Sequence, residues 1–541
     1  MIRKTSTCFF CIFSAGLLLG FSKPATSRVL ASIRQEPAIY VSASDGSDAG
    51  DGSQAHPKAT IQAAITAAAE ASVTEVNIAG GFYMEHSIQL HEGISLYGGW
   101  ASDWSTRDPD LYPSNIEDPR TSGTTPYVLY AGPGITGNTI VDGLVLQAGS
   151  GTRPAAVLCE GSPVFHRNSI LGGQATSIAY GILIRENASP ELSENKISGG
   201  RSEQQAIAVS VGHDSSPVIT HNTISGEDTQ NGTVHAIYNI GASPLIACNI
   251  LEGGSCVSSQ CYSAAIRDGR ASSSVIYNNI IHGGTGYRTY GIITSDGSNP
   301  SILNNSIQAG PAAHTATGIY IKNDDNPRII NNLIFTSGGQ ARYCIYENNP
   351  GSFPGHPNPD SNPGILRNNN FFACPTALLS WFNETSATSH SVTDLETPVT
   401  TAEDGTGALA QWGNIFEDIS SDLDPALKYL GNLSAVFFDT GGVNGLTEPY
   451  PLPFEDDFDG QARTPTDSSP TGWSMGAYEY DSTLPPLEGD VNLDGSIDQA
   501  DIQACLQHIL MLHDYGAPAD LNQDGSVNAL DIQRLVQLLV R

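Results

Sequence analysis

Apolar positions in the middle of the chain recur in a frame, Pro-x-apolar-x-x-Asn-x-apolar, and not at helical spacing. The frame reads SPVFHRNSI at Pro163, SPELSENKI at Pro190, SPVITHNTI at Pro217 and SPLIACNIL at Pro244, with successive prolines 27 residues apart. It resumes as SSVIYNNII with Ser274 in the proline position, then at Pro300 and Pro327, and loosely as NPGILRNNNFF near Pro363. Between copies runs a second apolar segment: YGILI at Tyr180, AIAVSV at Ala206, YGIIT at Tyr290 and TGIYI at Thr317. Most copies close on Gly-Gly or a near equivalent, the punctuation of a turn. Short strands at fixed spacing, with no helical pattern between them, predict a mainly β solenoid. Its coils would stack about 4.8 Å apart. In that register Ile170, Ile197, Ile224, Leu251, Ile281, Ile307 and Ile334 form one inward apolar stack. Asn168, Asn195, Asn222, Asn249, Asn279, Asn305 and Asn332 form a second column. Stacked amides there would hydrogen-bond one another and satisfy buried backbone groups.

This pattern resembles the right-handed parallel β-helix of pectin-lyase-like proteins. The flanks are similar to the same family. Ala38 to Trp100 resembles the entry segment of secreted β-helix proteins, with Ile61, Ala64, Ile65 and Ala68 on one face of a short helix that would cover the open end of the stack. Asp45, Asp48 and Asp51 nearby fit no cation-loop template and read as a turn. After about residue 376 the repeat dissolves. SAVFFDTGG at Ser434, DDFDGQARTP at Asp456 and WSMGAYEY at Trp473 resemble the closing segment of bacterial β-helix surface proteins.

The last fifty-odd residues change the picture. DVNLDGSIDQAD (Asp490 to Asp501) and DLNQDGSVNALD (Asp520 to Asp531) are twelve-residue loops with oxygen side chains at positions 1, 3, 5, 9 and 12 and Gly at position 6. A hard cation such as Ca²⁺ needs several oxygens about 2.4 Å away, including a main-chain carbonyl at position 7. The ligands would be Asp490, Asn492, Asp494, Ser496 (main chain), Asp498 and Asp501 in the first loop. In the second they would be Asp520, Asn522, Asp524, Ser526 (main chain), Asn528 and Asp531. Pro485 and Pro486 deny the first loop an entering helix. Exiting helices are written by Ile502, Cys505, Leu506 and Ile509, and by Ile532, Leu535, Val536 and Leu539. Paired loops of this kind resemble type I dockerins, which implies two calcium sites and a cohesin-type partner on a scaffold or surface protein. Gln499-Ala500, Leu506-Gln507, Ala529-Leu530 and Val536-Gln537 stand where many dockerins carry Ser-Thr and Lys-Arg, so the identity of the partner does not carry over.

The N-terminus, MIRKTST followed by the apolar run from Cys8 to Phe21, reads as a secretory signal peptide cleaved near Ser27. It is too short for a membrane span, and the mature chain is expected to have none. A net charge of −32 excludes a nucleic-acid partner, whose phosphates demand a basic face. In an oxidising compartment Cys256 and Cys261 are spaced to close a small loop. Cys159, Cys248 and Cys505 read as buried small apolar residues.

Candidate chemistry lies four residues before each proline, where Glu186, His213, Asp296 and Asn323 align, with Arg270 at the same offset from Ser274. Asp214 and Asp324 lie one residue further on. Asp296, Lys322 and Asp324 are the acid/base candidates, because lyases and glycosidases of this fold work with carboxylates and a basic group on an outer face. Turn positions attract the same residues for backbone reasons. IKNDD at Ile321 echoes part of a glycosidase motif set whose other members are missing.

The expected organisation is a signal peptide (1–27), an N-terminal cap and first coils (28–113), parallel β-helix repeats (114–375), a closing segment (376–480), a linker (481–488) and a dockerin-like domain (489–541). The expected function is that of a secreted, calcium-dependent surface or assembly protein. Its β-helix would present a carbohydrate- or protein-binding face, and its dockerin would dock to a cohesin. The alternative is a dockerin-borne polysaccharide lyase or glycoside hydrolase.

Overall fold

A computed structural model describes residues 37–348, most of 361–383, strands at 388–392 and 410–412, the short segments 456–460 and 475–478, and residues 532 and 534. The signal peptide, the linker and all twelve calcium-ligand candidates lie outside the described residues.

Each repeat forms one coil of a right-handed parallel solenoid. After the proline comes a three-residue strand such as Val164–His166, then a sharp corner, the asparagine, and a second strand such as Ser169–Leu171. A glycine bend and, in five coils, a two-residue strand such as Gln174–Ala175 lead into a long strand such as Ile178–Ile184. Stacking these gives a proline-side sheet of 13 strands, an asparagine-side sheet of 11, a long sheet of 12 and a short fourth sheet of 5. Pairing is parallel except at the end of the long sheet, where Thr388–Val392 turns back antiparallel on Ala377–Asn383.

The predicted apolar register is the observed one. Ile170 pairs with Ile197, Ile197 with Ile224, Ile224 with Leu251, and so on to Ile334, and all of these side chains are buried. Phe165, Leu192 and Ile219 form a parallel inward column on the proline-side sheet, and Ile182, Val209 and Ile237 one on the long sheet.

The asparagine ladder holds the corners. Asn195 donates from Nδ2 to Oδ1 of Asn222 (3.0 Å) and to the Phe165 carbonyl (2.9 Å). Its own Oδ1 accepts from the Asn168 backbone N–H (2.9 Å) and Nδ2 (3.0 Å). The residue before each ladder amide is left-handed: Arg167, Glu194, His221, Cys248, Asn278, Asn304 and Asn331 all have φ between 51° and 60°. That conformation costs a side-chain-bearing residue roughly 1–2 kcal/mol, so seven such corners persist because the buried amide network over-determines them. The ladder extends to Asn369, which accepts from Asn332 N–H and Nδ2 at 2.9 Å. Here Gly364, and not Pro363, occupies the proline position, since Arg328 pairs with Ile365.

The Gly-Gly punctuation has a packing cause beyond the turn. Gly226 has no positive φ, yet a Cβ there would collide with the Gly253 carbonyl oxygen of the next coil. Gly173 and Gly310 meet Gly149 and Gly284 in the same way. Coils approach backbone to backbone at this bend, which excludes side chains.

At the N-terminal end, helix Ile61–Ala71 buries Ile61, Ala64, Ile65 and Ala68, as its pattern predicts. Its first turn is capped by the Thr60 hydroxyl and by Glu85, which accepts from the Ile61 N–H at 2.7 Å. Asp48 accepts from the backbone N–H groups of Ala59 and Thr60 and so ties its loop to the start of the helix, while Asp51 accepts from that of Ser53 in a local turn. Cys256 and Cys261 are joined, as their spacing allows. A second disulfide, Cys344–Cys374, links successive coils. Cys159, outside both disulfides, is buried and donates to the Gly161 carbonyl, whereas Cys248, also outside them, is only partly buried at its corner. Met475 and Ala477, with Phe458 and Tyr478 beside them, return to cover Leu333, Phe335 and Phe372 on the exterior of the asparagine-side sheet.

Candidate functional site

The aligned edge exists. Glu186, Arg270, Asp296 and Asn323 adopt left-handed φ at one corner, joined by Asp214 and Asp324. The Asn323 amide donates to Asp296 Oδ1 at 2.8 Å, and the Asp324 N–H donates to the Ser361 hydroxyl at 3.1 Å. Lys322 lies in the adjoining strand, paired in register with Ser295. Among the described residues Lys322 makes no ion pair within 4.0 Å. The three acid/base candidates are thus half-buried neighbours at one corner, where Asp and Asn are favoured by the backbone itself.

A different assembly occupies the exterior of the long sheet. Strands alternate inward and outward, and the outward residues of consecutive long strands are aromatic. Tyr262 meets Tyr290 at 5.7 Å between ring centroids, Tyr290 meets Tyr320 at 5.2 Å, and Tyr320 meets Tyr346 at 5.7 Å. Towards the N-terminus His235 packs against Tyr238 and Tyr262. The Arg267 guanidinium sits 4.9 Å above the Tyr238 ring and donates from Nη1 to the Tyr262 hydroxyl at 2.6 Å. Asn348 donates to the Tyr320 hydroxyl at 2.8 Å. Tyr238, Tyr262, Tyr320 and Tyr346 are half-buried, with part of each ring open to solvent.

Burial pushes the Tyr262 phenol up, with Arg267 opposing it, and burial raises Tyr290 strongly. His235 is fully buried, and desolvation, aided by Arg267, holds it well below the usual imidazole range in its neutral form. The result is an aromatic strip over five coils, with phenol hydroxyls, the Arg267 and Arg288 guanidinium groups and amides along it. Such a surface stacks on the apolar faces of sugar rings and hydrogen-bonds their hydroxyls. The repeat analysis did not identify it, although Tyr180, Tyr290 and Tyr320 stand in the second apolar segment at outward positions.

Inside the same coils lies a polar cluster. Asn239 Nδ2 donates to Asp268 Oδ1 at 2.6 Å, the Ser274 hydroxyl donates to the same oxygen at 2.9 Å, and the Ser298 N–H donates to Asp325 Oδ1 at 2.7 Å. Both carboxyl groups are fully buried, and burial pushes Asp268 up to about 6 and Asp325 up to about 8. No group of three or more metal-ligating His, Cys, Asp or Glu residues occurs among the described residues.

The family model of the right handed beta helix region matches residues 156–388, and that of the dockerin type I domain matches residues 488–540. The chain therefore joins a right-handed β-helix to a type I dockerin domain. Among solved structures it is similar to the A-module of a mannuronan C-5 epimerase of Azotobacter vinelandii, at 15% identity and TM-score 0.29, covering 66% of this chain and 90% of that one. It is also similar to a double mutant of a periplasmic alginate epimerase, at 9% identity and TM-score 0.26, covering 54% of this chain and 75% of that one. Nothing about chemistry follows from likeness this distant. No curated protein matches the chain. Among the described residues no helix is long and apolar enough to cross a membrane.

Proposed function

We propose that this chain is a secreted, calcium-dependent surface or assembly protein. Its β-helix binds a polysaccharide along the aromatic strip of the long sheet, and its dockerin docks to a cohesin on a scaffold or surface partner. The observation that carries the ligand reading is the run Tyr262–Tyr290–Tyr320–Tyr346, which offers the same chemistry at each coil and so suits a polymer better than a compact molecule. Secretion rests on the apolar run Cys8 to Phe21 and agrees with two disulfides, which persist in oxidising compartments.

Purified chain, offered pectic, alginate-like and neutral glycans with Ca²⁺ present, is expected to retain a glycan without releasing reducing ends or unsaturated products. Tyr320→Ala is expected to weaken retention by roughly tenfold, about the contribution of one stacked aromatic. Retention unchanged by that substitution would place the ligand elsewhere. The alternative, a dockerin-borne polysaccharide lyase or glycoside hydrolase, has one observation in its favour, the Tyr262 hydroxyl held at 2.6 Å by Arg267 beside neutral His235. Turnover abolished by Tyr262→Phe would establish it there. Turnover abolished by Lys322→Ala or Asp324→Ala would establish it at the corner.

Type I dockerins generally bind calcium, and the two loops carry the oxygen-rich donor set such an ion requires. Asp490, Asn492, Asp494, Ser496, Asp498 and Asp501, and their counterparts Asp520 to Asp531, would hold one ion each. Without it the crowded carboxylates repel one another. Chelation of the full chain is expected to open residues 489–541 to limited proteolysis while the β-helix stays resistant. Asp490→Ala with Asp520→Ala should mimic the chelator. Equal resistance with and without Ca²⁺ would refute metal-coupled folding.

A further inference from the structure

The long sheet is not the only extended exterior surface of the solenoid. The short fourth sheet, with strands from Ser150–Gly151 to Ser255–Cys256, forms the floor of an open groove of about 810 Å³. Residues from six consecutive coils line it, so it runs along the solenoid axis for about 24 Å. A second hollow of about 490 Å³ adjoins it over the glycine bend and shares Thr121, Ser150, Gln174 and Arg201 with it. The bend is hollow because the glycine pairs that let the coils touch leave no side chains there.

Unlike the strip, the groove is lined by no aromatic side chain. The inward residues of the fourth sheet, Ala175, Ser202, Thr229 and Cys256, are buried. The residues on either side of them point outward, and half of these are hydroxyl or amide side chains, beside the charged Arg201, Glu203 and Asp228. Thr152, Gln174, Thr176 and Gln230 are exposed, and none makes a side-chain hydrogen bond to another described residue. Their donors and acceptors are left open on a concave surface, in three of its six coils. Val257, 80% exposed on the loop that the Cys256–Cys261 disulfide closes, adds apolar surface at one end.

We propose that this groove is a second ligand site, for a neutral, hydroxyl-rich glycan chain lying along the solenoid axis. The proposal is independent of the ligand assigned to the long sheet. Length selects a polymer, because residues of six consecutive coils line the groove over about 24 Å. Charge selects a neutral one. Arg201 is the groove's cation and is opposed by Asp228 at 3.7 Å, while Glu203 adds a further negative charge. The chain as a whole carries −32, so a polyanionic glycan would be repelled from this surface. Hydroxyl and amide side chains, acting as both donors and acceptors, match the hydroxyls of a neutral sugar without burying an unpaired charge.

The test uses the full-length chain carrying Tyr320→Ala and Tyr346→Ala, so that the aromatic strip is broken. Cellohexaose and hexagalacturonate are titrated into it calorimetrically. Cellohexaose is expected to bind. Thr176→Trp, which fills the groove, is expected to weaken that binding at least about tenfold. Gln174→Ala with Gln230→Ala, which removes two amides without blocking the space, should act in the same direction. All three side chains are exposed, so an unchanged thermal midpoint separates loss of the site from loss of the fold. Three results would overturn the proposal: no cellohexaose binding in the strip-broken chain, binding indifferent to both sets of groove substitutions, or hexagalacturonate binding that Thr176→Trp also abolishes.

Discussion

Ile224→Asp is expected to split the solenoid, lowering its thermal midpoint by on the order of 10 °C or more, or abolishing the cooperative transition. Ile224 is fully buried in the strand Thr223–Ser225, with Ile197 and Leu251 directly above and below it in register. The substitution removes about 1.5–3 kcal/mol of apolar burial. It also places a carboxylate among apolar neighbours, at a cost of several kcal/mol whether the group stays charged or binds a proton. In a stacked-coil protein each coil is held by its two neighbours, so a lesion in the middle uncouples the halves. Thr223→Asp is the matched control. It is one residue away on the exposed side of the same strand and should shift the midpoint by only a few degrees. Thermal unfolding followed by far-ultraviolet circular dichroism reads both, and equal effects would mean that the inward register is wrong.

Raising the pH from 5 to 9 is expected to destabilise the β-helix, and Asp325→Asn should remove the largest single part of that loss, the rest coming from Asp268 and from Glu252, which burial pushes up to about 7. In the folded chain burial pushes Asp325 up to about 8 and Asp268 up to about 6, from an ordinary value of 3.8. A carboxyl that holds its proton more tightly when folded stabilises the native state fully below its unfolded value. That contribution is lost as the pH rises towards and through the folded value. The window therefore runs from about 4 to 6 for Asp268 and from about 4 to 8 for Asp325, with Asp325 contributing the larger loss, on the order of several kcal/mol. Asparagine retains the oxygen that accepts from the Ser298 N–H and carries no charge to bury. Midpoints measured at intervals from pH 5 to 9 should fall for the native chain and fall less for the variant, with the difference greatest between pH 7 and 9, above the values of Glu252 and Asp268. A native chain with a flat profile would show that water or an ion compensates these carboxyls.

The repeat made much of this architecture legible in advance. A 27-residue period with alternating short apolar segments names a solenoid, because each coil buries the same positions against its neighbours. The asparagine column followed from the same period, since residues one coil apart become neighbours in space. The capping helix was visible through its own apolar spacing. The family matches to a β-helix region and a dockerin agree with both resemblances that the motifs suggested.

Other features depended on contacts that no single coil encodes. Three consecutive asparagines, Asn368 to Asn370, left the ladder's last rung open, and pairing of Arg328 with Ile365 selected Asn369. The Cys344–Cys374 disulfide joins the long strand of one coil to the bend of the next, at positions that do not recur as cysteines in other coils. The strip from Tyr262 to Tyr346 forms because long strands in neighbouring coils bring tyrosines from different register positions within ring contact on one face, and only Tyr320 and Tyr346 are direct partners. The return of Met475 to Tyr478 onto Phe335 and Phe372 follows no periodicity at all. Local pattern therefore determined which residues face inward, since period and burial obey the same geometry. Only the stacked structure decided which outward and buried polar groups meet, because those neighbours are set by coil-to-coil register and by chain returning from over a hundred residues away.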